Sequence, residues 1–337
     1  MKLRFRYYEL HLQHTFTISR SSSNVRPSYI IEIEHDGVIG YGESAPSERY
    51  GEDKGTVIEF LKKIDLSRFS DPFEIEEILS YIGNLSDENY SAKAGIDIAL
   101  HDWIGKKLNL PVWKFLGFNK SKMPSTSYTI GIDSIAMIEQ KVKEAESFPI
   151  LKVKVGVHDD IEIIKSIRNL TDKIIRVDAN EGWKSKEEAL EKILRLEEQG
   201  IELVEQPMPA DDLEGTAWLR ERVHIPLIAD ESFRYSKNLR NLHSVFDGIN
   251  IKLMKCSGIR EAVRSIHAAG ALNMKIMIGC MIESSVGISA AAQLSAMADY
   301  VDLDGNLLIA NDPFSGINVL NGKLILNDLP GLGVYSK

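Results

Sequence analysis

From Pro124 to Asp304 the chain alternates short apolar runs with amphipathic helical stretches. The runs are 125–131 (STSYTIG), 150–155 (ILKVKV), 174–178 (IIRVD), 201–205 (IELVE), 226–230 (PLIAD), 248–252 (GINIK), 275–279 (KIMIG) and 300–304 (YVDLD). Apolar runs this short, bounded by loop residues, predict buried strands. The intervals, about 25 residues each, have room for one crossover helix and two short loops. Eight such units predict an α/β fold whose parallel sheet closes into a (β/α) barrel. No long helical pattern follows the eighth run, and 311–337 reads as strands and turns that return to the N-terminal part.

The first third has another rhythm. Residues 1–18 alternate loosely, and Ser28–Glu34 then meets Val38–Gly42 across His35-Asp36-Gly37. An Asp-Gly pair between apolar runs predicts a hairpin. Helical patterns follow at 54–65, 72–82 and 91–108, the last with Ala94, Ile98, Trp103 and Ile104 near helical spacing and Pro111 beyond its end. A sheet followed by a block of helices predicts an α+β unit.

Composition narrows the function. The chain has 337 residues, with 40 basic and 49 acidic side chains and a net charge of −9. That length favours two domains as a prior. An acidic surface argues against nucleic acid as a partner. Cys256 and Cys280 are too few for a disulfide framework and form no CxxC pair. MKLRFRYYELHLQH lacks the apolar core of a signal peptide, and no stretch approaches the roughly 18 apolar residues of a membrane span. A cytoplasmic location follows by elimination. His101, His224 and His267 fall in no HxH or HExxH pattern and read as ordinary surface or core residues.

The chemistry lies at the strand ends. Lys152 and Lys154, Asp178, Glu205, Asp230 and Lys252 sit on five successive runs, and Asp302 and Asp304 on the eighth. Strand C-termini converge on one mouth of such a barrel. Three carboxylates there repel unless a cation neutralises them, and oxygen-only ligands suit a hard divalent ion such as Mg²⁺. Lys152 and Lys154 share one face of their strand, and inside a barrel there is no solvent edge to hold them. A second ammonium and a dication beside Lys154 favour a free amine that acts as a base near neutral pH. Lys252 lies four strands on, across the barrel. One base on each side of a bound carbon is the arrangement for a 1,1-proton transfer through an enediolate, whose charge a metal stabilises.

LKVKVG (151–156), VDANEGW (177–183), VEQP (204–207), ADES (229–232) and NIKLMKCSG (250–258) together resemble the enolase superfamily, muconate-lactonizing-enzyme subgroup. RYGE (49–52) and AKAGIDIALHDWIGKKLNLPVWKFLG (92–117) are similar to its capping domain. The resemblance implies a modified TIM barrel, (β/α)7β, over 121–310, capped by an α+β unit from 1–120 with 311–337 returning to it. It implies one Mg²⁺ on Asp178, Glu205 and Asp230, Lys154 and Lys252 as the acid/base pair, and Lys152 tuning Lys154. Asn180 and Glu231 stand beside ligands, and Lys255 falls outside the matched position. Ser257 stands where a second glycine is common.

The same catalytic set serves cycloisomerases, N-acylamino-acid racemases and dipeptide epimerases. Asp302-Leu303-Asp304 resembles the dipeptide-epimerase signature that binds the substrate's α-ammonium group, and paired carboxylates do attract a cation. Arg20, in HTFTISRSSS (14–23), matches an arginine of a cap loop that meets a glutamate side chain. Glu283 pulls the other way, since in the side-chain pocket it would favour a cationic residue. Ser284 is a further candidate for carboxylate binding. The expectation is an isomerase acting on L-Ala-D/L-Glu or a related dipeptide, working as a homo-oligomer, with no nucleic-acid or membrane partner.

Overall fold

The computed structural model describes residues 1–337. Its N-terminal sheet contains three antiparallel strands in chain order, β1 (Lys2–Ile18), β2 (Ser21–His35) and β3 (Val38–Ser44). The β2–β3 turn is the expected one, with Asp36 and Gly37 at φ 48° and 72°, the left-handed pair that matches strand twist in a two-residue hairpin. The β1–β2 hairpin is longer than the loose alternation of 1–18 suggests, pairing from Lys2–Glu34 to Ile18–Ser21. A register shift between His11 and Phe16 bends the strand pair. The bent tip reaches the barrel, where Ser19 Oγ donates to the Asn180 carbonyl at 3.0 Å.

The helix Tyr90–Leu108 is buried almost continuously from Ser91 to Gly105. A helix buried on all sides needs apolar or paired residues all round, and its polar ones serve as connectors. Asp97 accepts from the backbone N–H of Ile259 and Arg260, capping the helix Ile259–Ala271 of the barrel. Asp102 accepts from Tyr41 N and Leu332 N, each at 2.7 Å.

Eight parallel strands follow: β4 (Tyr128–Ile130), β5 (Ile150–Lys154), β6 (Ile174–Asp178), β7 (Val204–Glu205), β8 (Leu227–Ala229), β9 (Gly248–Lys252), β10 (Lys275–Gly279) and β11 (Tyr300–Asp302). Each pairs with its neighbour in chain order, and a parallel bridge between Thr126 and Val301 closes the ring. All eight lie within the apolar runs of the sequence. The main apolar core packs residues such as Leu151, Val177 and Ile249 of the strands against Ile164, Ile193 and Ile266 of the surrounding helices. After β11 there is only the short turn Gly305–Leu307. The last segment then contacts the first third of the chain: Val112 N donates to Gly331 O at 2.9 Å and His11 N to Asn311 Oδ1 at 2.8 Å. No helix is long and apolar enough to cross a membrane.

β3 lies directly on the buried helix. A Cβ at Gly42 would stand 1.9 Å from the Gly95 carbonyl oxygen, whereas one at Gly83 would meet nothing within 4 Å. Gly42→Ala is expected to cost about 2 kcal/mol, read as a lower midpoint in denaturant unfolding, with Gly83→Ala unchanged or slightly more stable. Equal stability of the Gly42→Ala protein and the wild type would contradict this packing.

Candidate active site

The parallel register sets the site. Lys154 pairs with Asp178 and Asp178 with Glu205, while Asp230 follows β8 by one residue. On the other side Lys252 pairs with Gly279, and Gly279 with Asp302. All therefore reach the same mouth. Asp178, Glu205 and Asp230 are fully buried, with oxygens within 4.8 Å of one another.

Lysines surround this cluster. Lys152 Nζ lies 2.7 Å from Glu205 Oε2, 2.7 Å from Asp302 Oδ2 and 3.2 Å from Asp178 Oδ2. Lys154 Nζ donates to Asp178 Oδ2 at 2.7 Å, and Lys252 Nζ to Asp230 Oδ2 at 2.6 Å. Lys255, which the motif match leaves aside, also touches Asp230 and donates to its carbonyl at 2.6 Å. Burial pushes Asp178 and Asp230 up, but the neighbouring ammonium groups outweigh it and hold both well below the usual carboxylate range. Burial pushes Lys152 and Lys252 down, and the carboxylates outweigh that too. Glu205 is different: burial, reinforced by Asp178, raises it to about 7. Its Oε2 accepts no well-directed hydrogen bond although Lys152 is close. Three convergent carboxylates, one short of positive charge, fit a hard divalent cation.

Of the three carboxylates Asp230 reaches a cavity of about 840 Å³, lined also by Lys152, Lys154, Lys252, Asp302 and Asp304 and roofed by the N-terminal sheet. Asp302 accepts from Ser127 Oγ at 2.6 Å, and Asp304 from Thr129 N at 2.6 Å. Burial, then Asp302, lifts Asp304 to about 7. A positive group entering here would meet two acids.

Asn180 and Glu231 link the floor to the roof. Asn180 N donates to Asp178 Oδ1 at 2.9 Å and its Nδ2 to Glu231 Oε1 at 3.3 Å. Arg20, at the hairpin tip, lies 2.7 Å from Glu231 Oε1 and donates to Asn180 O at 2.9 Å. Arg49 grips Glu181 at 2.7 and 2.6 Å. Sequence reasoning assigned neither Arg49 nor Glu181. Glu181 sits in the turn after β6, where Asn180 and Glu181 take φ 45° and 65°.

Glu283, expected in the side-chain pocket, and Ser284, expected to bind a carboxylate, do not line the cavity; Cys280, Met281 and Ile282 stand there instead. Ser284 caps the helix Ser285–Ala292 and its hydroxyl donates to Glu43 Oε2 at 2.6 Å. Glu283 is 1% exposed, turned toward Glu43, and Gly287 between the two leaves room for both carboxyls.

Residues 5–117 match the mandelate racemase / muconate lactonizing enzyme N-terminal domain, and residues 136–336 match the enolase C-terminal domain-like family. The L-Ala-D/L-Glu epimerase of Bacteroides thetaiotaomicron is 50% identical over 335 residues, 99% of this chain and 88% of that protein. A substrate-liganded structure of the L-Ala-D/L-Glu epimerase from Bacillus subtilis matches with TM-score 0.94 at 30% identity, covering 100% of this chain and 98% of that one. A dipeptide epimerase from Enterococcus faecalis, complexed with Mg and L-Leu-L-Tyr, gives 0.92 at 35% identity and covers 99% of both chains.

Burial, with Glu43 beside it, raises Glu283 to about 8 from an ordinary 4.5. Between those values the folded chain keeps a proton that the unfolded chain releases. Stability present below the unfolded value is therefore lost as pH rises through the folded one, by at most about 1.4 kcal/mol per pH unit. Glu283→Gln is expected to flatten the thermal-midpoint profile between about pH 5 and 8. An unchanged slope would contradict the buried acid pair.

Proposed function

The chain belongs to the mandelate racemase / muconate lactonizing enzyme family within the enolase superfamily, and from that premise we propose that it is a Mg²⁺-dependent dipeptide epimerase. It is an isomerase, like the relatives it matches. The observation that carries the finer reading is the cavity itself. Lys154 and Lys252 both line it, from strands four apart in the eight-strand ring, together with Asp230 of the acid cluster and with Asp302 and Asp304.

A dipeptide has the matching charges. Its α-ammonium suits Asp302 and Asp304, and its carboxylate suits the acid cluster only with a dication between. Bound to Asp178, Glu205 and Asp230, Mg²⁺ would supply positive charge where the carboxylate gains electron density on loss of the α-proton. The protein does the rest. One lysine, as the free amine, takes the α-proton of the C-terminal residue from its side. The other, as the ammonium, returns a proton on the opposite side. Lys152 holds Asp178, Glu205 and Asp302 in place, and Arg20 and Arg49 tie the roof to the barrel loops and so limit water. The substrate we favour is L-Ala-D/L-Glu, in line with the 50%-identical relative. An N-acylamino acid or a lactone lacks the ammonium that Asp302 and Asp304 would bind.

The test is incubation with L-Ala-L-Glu and a dipeptide library in D₂O with Mg²⁺, following deuterium at the second α-carbon and appearance of the second epimer. Absence of exchange with every dipeptide would overturn the proposal. Lys154→Ala and Lys252→Ala should each lose epimerisation by about 10²–10⁴-fold, retaining at most exchange of one stereoisomer. Normal turnover in both variants would exclude the two-base mechanism.

A further inference from the structure

Recognition of the second side chain needs a group that is free to bind it. Arg20, the expected reader, is engaged: both of its Nη atoms already serve Glu231 and Asn180, and Glu231's side chain is fully buried. Moving Arg20 onto a substrate would break two charge-assisted contacts and leave a buried carboxylate with only the Asn180 amide and no contacting counter-charge. Arg49 is held by Glu181, and Lys152, Lys154 and Lys252 by the carboxylates of the mouth. Lys54 lies exposed on the Tyr7 ring, 3.9 Å from its centroid.

Arg26 is the exception. It lies on β2 opposite Leu10, and alternation puts its side chain on the same face as Ser28. That face looks at the barrel, since Ser28 Oγ donates to Glu43 at 2.7 Å and Glu43 holds Ser284 N at 2.9 Å beyond the end of β10. Leu10 itself packs against Ile282 and Ile309. Arg26 thus lines the cavity at the Ile282 edge, partly buried, with no carboxylate in ion-pair contact. Burial lowers its pKa; Glu48, not in contact, is the acid that favours its charge, and Arg20 opposes it. A guanidinium half removed from water and left without a counter-ion lacks an anion.

Building on the dipeptide reading, we propose that Arg26 is the specificity residue, binding the side-chain carboxylate of an acidic second residue, while Arg20 is a positioning residue that pins the hairpin tip. The fork of the guanidinium matches a carboxylate bidentately and offers an amide only part of that contact.

Steady-state kinetics of the Mg²⁺-loaded enzyme with L-Ala-L-Glu, its uncharged isostere L-Ala-L-Gln and L-Ala-L-Lys tests this. Wild type should prefer L-Ala-L-Glu. Arg26→Gln should lower kcat/KM for L-Ala-L-Glu at least about tenfold, mainly through KM, and change L-Ala-L-Gln less than about twofold. Arg20→Gln should lower kcat for both substrates alike. Arg26→Glu should gain turnover of L-Ala-L-Lys, a gain that misfolding cannot produce. Equal losses of Arg26→Gln on the charged and uncharged substrates, or none, would overturn the assignment. Wild-type turnover of L-Ala-L-Gln but not of L-Ala-L-Glu would overturn it and leave the epimerase reading standing, whereas inactivity on all dipeptides would remove that reading itself.

Discussion

Three carboxylates buried within 4.8 Å of one another at the mouth of a closed ring of strands repel, and the rest of the site is arranged around that repulsion. Without water to screen it, each charge needs a positive neighbour. The chain supplies Lys152, Lys154, Lys252 and Lys255, all within contact of the cluster. This supply is incomplete, because Glu205 remains raised to about 7. A divalent cation held by Asp178, Glu205 and Asp230 would complete it, and would compete with Lys154 and Lys252 for Asp178 and Asp230. In the proposed mechanism the same groups are counter-charges without the ion and proton carriers with it.

Buried acids also join the two parts of the molecule. Glu43 of β3 accepts from Ser284 N and Gly287 N, Asp97 caps a barrel helix, and Glu181 holds Arg49. Each acid satisfies several N–H groups at once, which makes a carboxylate tolerable inside a protein. Part of the acidic excess of the chain is therefore buried, joining the two parts and gathering at the barrel mouth, and not a solvated surface. It fixes where the roof sits above the cavity.

Strand pattern and charge position made the barrel and its floor legible. An ionisable residue at the end of a buried strand falls at the barrel mouth, and register then sets Lys154, Asp178 and Glu205 side by side. The roof was harder to read. The long β1–β2 hairpin has weak alternation because both faces of β1 stay at least partly exposed along nearly all its length, and the shift after His11 moves the pattern out of phase. Which arginine is free could not be read from sequence at all. Arg20 and Arg26 are both polar residues near a turn, and only packing shows that one is bound to Glu231 and the other is unpaired. Glu283 misled for the same reason. Its position after β10 is that of a mouth residue, but its side chain turns back toward Glu43. Chain direction tells which end of the barrel a residue occupies; side-chain packing decides whether it faces in.

The central claim is that the buried carboxylates form one cation site. Calorimetric titration of Mg²⁺ into the protein, alongside Asp178→Asn, Glu205→Gln and Asp230→Asn variants, measures it directly. One ion per chain is expected in the wild type, with binding lost or severely weakened in each variant. Wild-type-like Mg²⁺ affinity in all three variants, or no binding by the wild type, would contradict it.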